Sequence, residues 1–269
     1  MQLEDKLLQI DTESIRQKIM RFIKDCINKT KAEGVVLGIS GGVDSATTAA
    51  LSAISIGGHK VLGLYMPENE TYNKEDHEHI ETLVRSFQFE LKTINITNIL
   101  DALRKTIPDY WRRDKTSQGN LKARTRMLIW YYYANLENRI VVGSSDKSET
   151  MIGYFTKWGD AAADIAPIMD LYKTQVRQLA LSLGIPKEIV HKPSSPALWP
   201  NQTAEKEIGL KYKTLDLILY GLEHFMPITT IASQLNLTIK TVKTIKKRWL
   251  EAEHKRQMPL AAKLFATSD

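Results

Sequence analysis

The chain holds a single cysteine, Cys26, and that scarcity removes several chemistries. A disulfide framework, a Cys-x-x-Cys redox pair and a cysteine-built zinc site within one chain are excluded, and a reducing cytoplasm is the expected setting. Long apolar runs are also missing. No stretch approaches the ~20 residues that cross a bilayer, and charges run through residues 1–30, so neither a membrane span nor a secretory signal is expected. Internal repeats and low-complexity tracts are absent.

What remains is an ordinary globular composition: 269 residues, 43% hydrophobic and 25% charged, enough for one large α/β domain or one domain with an appendage. The net charge of +6 and pI of about 9.2 suit an anionic partner without separating a nucleotide from a nucleic acid.

Residues 38–45, Gly-Ile-Ser-Gly-Gly-Val-Asp-Ser, carry the most informative pattern. Val35-Val36-Leu37-Gly38-Ile39 is a mostly apolar, β-branched run of the kind that makes a buried parallel strand. Ser40, Gly41 and Gly42 turn the chain, and Asp44-Ser45 open an alanine-rich helical stretch. Glycines let backbone N–H groups approach a phosphate, and a helix N-terminus adds unpaired donors and a favourable dipole. The Gly-Lys-Ser/Thr of the usual nucleotide P-loop does not follow, so the lysine that reaches the β/γ-phosphates is missing. Asp44 stands there instead, and a carboxylate beside a phosphate cradle fits a Mg²⁺ between them. Glycines used only for tight packing are the plainer reading of the same turn.

The rest alternates. Residues 12–32 read as an amphipathic helix capped by Ser14, with Cys26 on its apolar face as a packing residue. A strand at 60–66, a helix at 74–88, a strand at 91–96 and a helix at 97–106 follow. Residues 107–118 read as a surface loop, in which Tyr110, Trp111, Arg112 and Arg113 form either a solvated segment or a nucleic-acid platform. A helix over 119–138 places Leu121, Arg124, Leu128 and Tyr131 on one face, and Arg124 there calls for an anion, either a ligand or an intrachain carboxylate. Ile140-Val141-Val142-Gly143 is another buried-type strand, followed by a small-residue turn and a helix start, Ser144-Ser145-Asp146-Lys147-Ser148-Glu149. This second turn is expected beside the first, with Glu149 either a second carboxylate to the Mg²⁺ of Asp44 or a helix-start carboxylate favoured by the dipole. Residues 153–164 suit no regular element, Lys173 precedes a helix ended by Gly184-Ile185-Pro186, and 191–209 read as a long irregular lid or binding loop. From about 212 the chain is helical; Ile231 to Lys243 has helix-turn-helix spacing, and Lys243 to Arg248 could face DNA phosphates. Alternating strands and helices predict an α/β fold, a doubly wound, mainly parallel sheet with helices on both faces, and ligands beyond the C-terminal strand ends. The expected division of this single domain is an α/β core over 12–210 and a helical section over 211–269.

Ser40 to Ser45 resembles the S-G-G-x-D-S loop of the ATP pyrophosphatases, enzymes that cleave ATP between its α- and β-phosphates. The chain as a whole resembles the NAD synthetases, from about residue 12 to 260, through stretches 38–45, 119–127, 143–164, 171–184 and 254–259. That likeness implies an adenine nucleotide α-hydrolase-like fold and ATP-dependent amidation of nicotinic acid adenine dinucleotide. Carried over residue by residue, Gly38, Ile39, Ser40, Gly41, Gly42, Val43, Asp44 and Ser45 look like the ATP loop, joined by Ser144, Lys173 and Ser195. Asp44 and Glu149 look like Mg²⁺ ligands, and Lys173 a phosphate contact that acts with them in catalysis. Arg124, Lys157, Asp164, His254 and Lys255 resemble contacts to the dinucleotide. The family is homodimeric with that site at the subunit boundary, so a homodimer is expected. Asp146 in place of a common asparagine, Ala161-Ala162 in place of glycines and Ala204 in place of an aspartate depart from the family pattern.

A glutamine-hydrolysing domain needs a nucleophilic cysteine and a far longer chain, so free ammonia is the expected nitrogen donor; delivery by a separate amidotransferase stays open. Two other readings share these residues. One is a different ATP pyrophosphatase, nucleotide-amidating or tRNA-modifying, and the other is a DNA-binding protein built on the helices at 228–248.

Overall fold

The computed structural model describes residues 2–110, 114–262 and 264. Trp111, Arg112 and Arg113 of the suggested nucleic-acid platform lie outside them. Helix α1 (Thr12–Thr30) starts one turn earlier than its expected cap: Asp11 is the N-cap, its side chain accepting from the Ser14 N–H. The chain then runs β1 (Gly34–Gly38), α2 (Val43–Ile56), β2 (Val61–Tyr65), α3 (Lys74–Phe87), β3 (Glu90–Thr93) and α4 (Thr97–Thr106). Strand β3 ends before the expected Ile96: Ile94 and Ile96 still donate to the Tyr65 and Pro67 carbonyls, but Pro67 has no N–H with which to continue the ladder.

Helix α5 (Lys115–Leu136) begins inside the stretch read as a loop, because Asp114 accepts from the N–H groups of Thr116 and Ser117 and nucleates the first turn early. Strand β4 (Arg139–Val141), α6 (Lys147–Ile152), α7 (Lys173–Ser182) and α8 (Lys187–His191) follow. Within the segment expected to be irregular throughout, Ala204–Ile208 form a short helix, α9. The Ala204 N–H donating to the Ser194 carbonyl and Gln202 bonding Glu207 hold it there. Helices α10 (Tyr212–Glu223), α11 (Ile228–Gln234), α12 (Ile239–Glu251) and α13 (Glu253–Arg256) complete the described chain.

The sheet is parallel in the order β3-β2-β1-β4. Its central strands β1 and β2 are buried on both faces, as a sheet covered on both sides requires, while the edge strand β3 is partly exposed. Val35 and Leu37 of β1 enter the core under α1, α2 and α7, while Val36 enters the opposite core with Leu62, Leu64, Leu100 and Ile129. Burying each such side chain is worth about 1.5–3 kcal/mol. Because β2 and β4 flank β1, the chain leaves β1 in one direction and reaches β4 from the other. The crevice of this topological switch opens at the C-terminal ends of β1 and β4, the place where α/β sheets bind ligands. A third apolar cluster joins α10, α11 and α12 to Leu3, Leu8 and Met151. Val242 and Ile245 of α12 are buried in it, so the helix-turn-helix spacing is used in packing. Among the described residues no helix is long and apolar enough to cross a membrane.

Candidate functional site

The turn after β1 is shaped by two glycines with specific duties. A Cβ on Gly38 would lie 2.5 Å from the Trp130 ring, and Gly41, with φ of +76°, rests against Asp76, whose Cβ a Gly41 side chain would approach to 3.0 Å. Ser45 braces the turn: its hydroxyl donates to the Gly42 carbonyl at 3.1 Å and accepts from the Ser40 N–H at 3.2 Å. Gly42 is the N-cap of α2 and makes no side-chain cap, so the N–H groups of the first turn face the crevice without an intrahelical partner. Ile39 and Val43 are buried beneath the turn. Residues 38–45 therefore form an anion cradle at a helix start.

Beside it, Asp44, Asp146 and Glu149 converge, each offering an oxygen within 4.8 Å of the others. The Lys173 ammonium, fully buried at the start of α7, sits among them: 2.5 Å from Asp44 Oδ2, 2.9 Å from Asp146 Oδ2 and 3.0 Å from Glu149 Oε1. Burial alone would push this ammonium down, but Asp146, Asp44 and Glu149 together hold it well above the ordinary lysine range. Burial raises the Asp44 carboxyl against the pull of Lys173, and raises Asp146 further, with Glu149 and Asp44 adding repulsion. Tyr212 donates to Glu149 Oε1 at 2.8 Å, and its own hydroxyl is pushed up by burial and by these carboxylates. Asp146 also caps α6, accepting from the Glu149 N–H at 2.8 Å. Three carboxylate oxygens are a hard donor set, and Asp44 Oδ1 is buried without a hydrogen-bond partner among the described residues, so the site fits a divalent cation such as Mg²⁺.

The other expected site residues fall in two places. Ser144 lies half-buried in the turn after β4, next to the cluster. Ser195 lies in the segment between α8 and α9, its hydroxyl accepting from the Ala197 N–H. Away from the metal cluster, a cavity of about 360 Å³ is lined by Met127, Tyr131, Trp158, Ala161–Ala163 and Lys255 to Met258. Lys157 donates to the His254 carbonyl at 2.5 Å, and Lys255 donates to the carbonyls of Gly153 and Phe155, so these side chains tie the C-terminal end to the 153–164 segment beside the cavity. Asp164 receives the Val141 N–H at 2.7 Å and the Tyr131 hydroxyl at 3.3 Å, closing the end of β4. Arg124 is exposed and donates to the Lys157 carbonyl at 3.2 Å. Arg124 and Leu128 of the expected stripe are both exposed, so burial does not by itself oblige this guanidinium to find an anion.

The sequence matches the family model described as NAD synthase over residues 15–259. The chain belongs to the NAD synthase family. It is 42% identical over 264 residues to the NH(3)-dependent NAD(+) synthetase of Hyperthermus butylicus, covering 98% of this chain and 95% of that relative. Among solved structures it resembles the NMN synthetase from Francisella tularensis, with TM-score 0.83 and 31% identity over 95% of this chain and 100% of that one. The NH3-dependent NAD synthetase from Campylobacter jejuni, solved with a nitrate ion, gives TM-score 0.78 and 31% identity over 94% and 100%.

Family membership does not explain every residue of the site. Asp146, Tyr212 and Asp216 are not among the expected site residues. Asp216 is fully buried, accepts from the Ser148 hydroxyl at 2.6 Å and the Thr174 N–H at 2.9 Å, and so pins the starts of α6 and α7 together. Its signal is present in the sequence: a carboxylate inside the apolar run Leu215-Asp216-Leu217-Ile218-Leu219 must have internal partners. Lys122 and Glu68, buried and paired at 2.6 Å, are likewise absent from the expectation. Lys122 donates to the Leu198 carbonyl at 2.8 Å and so fastens the 192–203 segment to α5.

Proposed function

We propose that the chain uses ATP to join ammonia to the carboxylate of nicotinic acid adenine dinucleotide, giving NAD, with the switch-point crevice as the reaction site. The observation that carries this reading is the convergence of Asp44 and Glu149, from separate turns, beside a cradle of unpaired N–H groups. The names of the NH3-dependent relatives support ammonia as the nitrogen source.

A carboxylate is a poor electrophile, so it must first acquire a leaving group. Its oxygen attacks the α-phosphorus of ATP, forming an acyl-adenylate and breaking the bond to pyrophosphate. Ammonia then attacks the acyl carbon, AMP departs with the C–O electron pair, and one proton is released. Two anions meet in the first step, so the residues act chiefly on charge. The N–H groups of residues 43–45, in the first turn of α2, donate to phosphate oxygens, and the Ser40 and Ser45 hydroxyls fix the turn that presents them. Asp44 and Glu149, with Asp146 behind them, would hold Mg²⁺, which when bound neutralises the triphosphate and the leaving pyrophosphate. Lys173 keeps the three carboxylates together and in place. Arg124, Lys157, Asp164, His254 and Lys255 are assigned to the dinucleotide, Lys255 as a residue of the cavity wall and Lys157 through its tie to the C-terminal end beside that cavity. No protein nucleophile is required. Production of AMP and NAD from ATP, Mg²⁺, ammonium and the dinucleotide acid tests the reading. Asp44→Ala is expected to lower kcat at least about 100-fold, and no AMP release from the wild-type chain would end it.

The likeness to an NMN synthetase favours one alternative substrate, nicotinic acid mononucleotide. Comparing kcat/KM for the two acids decides between them.

A homodimer fits the outer face of α5. Leu128, Tyr132 and Leu136, spaced four residues apart, are each at least 60% exposed. Their neighbours Met127 and Tyr131 line the dinucleotide cavity, so a partner packed there would border it. Light scattering is expected to report a dimer for the native chain and a monomer with a raised dinucleotide KM for Leu128→Glu combined with Tyr132→Glu. A native monomer would contradict the assignment.

A further inference from the structure

We infer that Lys192 is the ammonium that meets the β- and γ-phosphates of ATP, supplied from the segment after α8 in place of the lysine the glycine turn lacks. This rests on the reading of residues 40–45 as the triphosphate cradle.

The cradle itself contributes N–H groups and hydroxyls but no cation. Lys173, the buried lysine nearest to it, directs its ammonium at Asp44, Asp146 and Glu149. A triphosphate placed on the cradle therefore meets three carboxylates and an ammonium already surrounded by them. Another positive group is needed on the phosphate side, and Lys192 stands there. It is the residue after α8, followed by Pro193, and its ammonium pairs with Asp76 in the first turn of α3. Asp76 is the residue pressed against Gly41, its Cβ, Cα and carbonyl oxygen all about 3 Å from the point where a Gly41 side chain would begin. The ion pair thus holds Lys192 at the rim of the turn. Its side chain is 23% exposed, and burial pushes the ammonium below the ordinary lysine range while Glu75 opposes the drop.

Anchoring the segment does not depend on this pair. Lys122 donates to the Leu198 carbonyl, the Leu198 N–H donates to Gln202, and the Ala204 N–H donates to the Ser194 carbonyl. Lys192 can therefore exchange Asp76 for a phosphate oxygen, or bridge the two, while residues 194–204 stay fastened. The pairing has a second consequence. Asp76 lies so near the turn that, without Lys192 beside it, its charge would repel the incoming phosphates.

Opposite signs at the two partners make the test decisive. Calorimetric titration of inorganic pyrophosphate and of AMP, each with Mg²⁺, is made on the full chain and on Lys192→Ala, Lys192→Arg and Asp76→Asn. The expected result is about 10- to 100-fold weaker pyrophosphate binding in Lys192→Ala, the loss of one charge-assisted hydrogen bond, with AMP affinity unchanged. Lys192→Arg retains most of the affinity, and Asp76→Asn binds pyrophosphate at least as tightly as the native chain. If Lys192→Ala and Asp76→Asn weaken binding alike, the pair merely holds the segment and the inference is wrong. Native-like pyrophosphate affinity in Lys192→Ala also overturns it. A native chain that binds neither pyrophosphate nor AMP removes the cradle reading as well, so the two failures are distinguishable.

Discussion

Lys173→Met is expected to lower the melting temperature by roughly 10 °C in metal-free buffer and to abolish amidation, with Mg²⁺ restoring much of the first and none of the second. Native Lys173 is wholly buried and bonded to three carboxylates. Methionine keeps the length of the side chain and removes the charge, leaving Asp44, Asp146 and Glu149 within 4.8 Å of one another and uncompensated. Breaking a buried ion pair by removing one partner costs about 3–5 kcal/mol, and in a chain of this size each kcal/mol moves the melting point by about 2–4 °C. Proton uptake by Asp146, already raised by burial, limits the loss at low pH. A divalent cation replaces the missing charge directly, so the Mg²⁺-induced rise in melting temperature should be larger in the variant than in the native chain. Calorimetric melts with and without Mg²⁺ measure this. Equal rises in both proteins would mean that the lysine and the cation do not share these oxygens.

The comparison with Asp146→Asn isolates the residue that departs from the family pattern. Asparagine keeps the cap on α6, because its side-chain oxygen still accepts the Glu149 N–H, while one of the three negative charges disappears. Mg²⁺ affinity, read by the same melts, is expected to fall about tenfold, with the apparent stability of the metal-free fold little changed.

The strands and the glycine turn are legible because their signals are local. Val35 to Ile39 and Ile140 to Gly143 are apolar runs between turn residues, and Gly41 needs a backbone conformation that side chains resist. That the two turns meet also follows from sequence, since alternating elements imply a parallel sheet with a switch point. What sequence does not show is set by contacts across the chain. Helix α9 has five residues and persists through bonds to Ser194, Gln202 and Tyr154. Tyr212 reaches Glu149 from 63 positions away, which no spacing rule foretells. The start of α5 is legible in principle, since Asp114 followed by Thr116 and Ser117 is a capping pattern, but Gly119 two residues further on competes for the boundary. Arg124 misleads for a related reason: an apolar stripe on a helix suggests a covered face, and here Leu121 and Tyr131 are partly buried while Arg124 and Leu128 are exposed.

A pH-dependent effect on stability is expected at Asp216. Burial raises its carboxyl from 3.8 to about 6, against the hydrogen bonds from Ser148 and Thr174 that favour the ionised form. The folded chain therefore holds this proton across a range in which the unfolded chain has lost it. The sign follows from linkage: stability associated with this group is full below about pH 4 and declines as pH rises through 6, by about 3 kcal/mol. An asparagine does not titrate, so in Asp216→Asn that decline disappears. The substitution has its own cost, because an amide offers one oxygen where two are used: with the oxygen toward Ser148, the NH2 group meets the Thr174 N–H, a loss of about 1–3 kcal/mol. Urea unfolding as a function of pH should therefore show the variant most destabilised near pH 4.5 and much closer to the native chain at pH 7.5. Parallel stability curves would mean that Asp216 titrates normally in the fold. Activity should not follow stability. The Ser148 hydroxyl that Asp216 orients accepts the Lys173 N–H at 2.9 Å, so a disturbed Asp216 shifts the start of α7 and with it the ammonium among the three carboxylates. At pH 7.5 the variant is expected to be nearly native in stability and at least about tenfold lower in kcat, separating the residue's part in the fold from its part in the site.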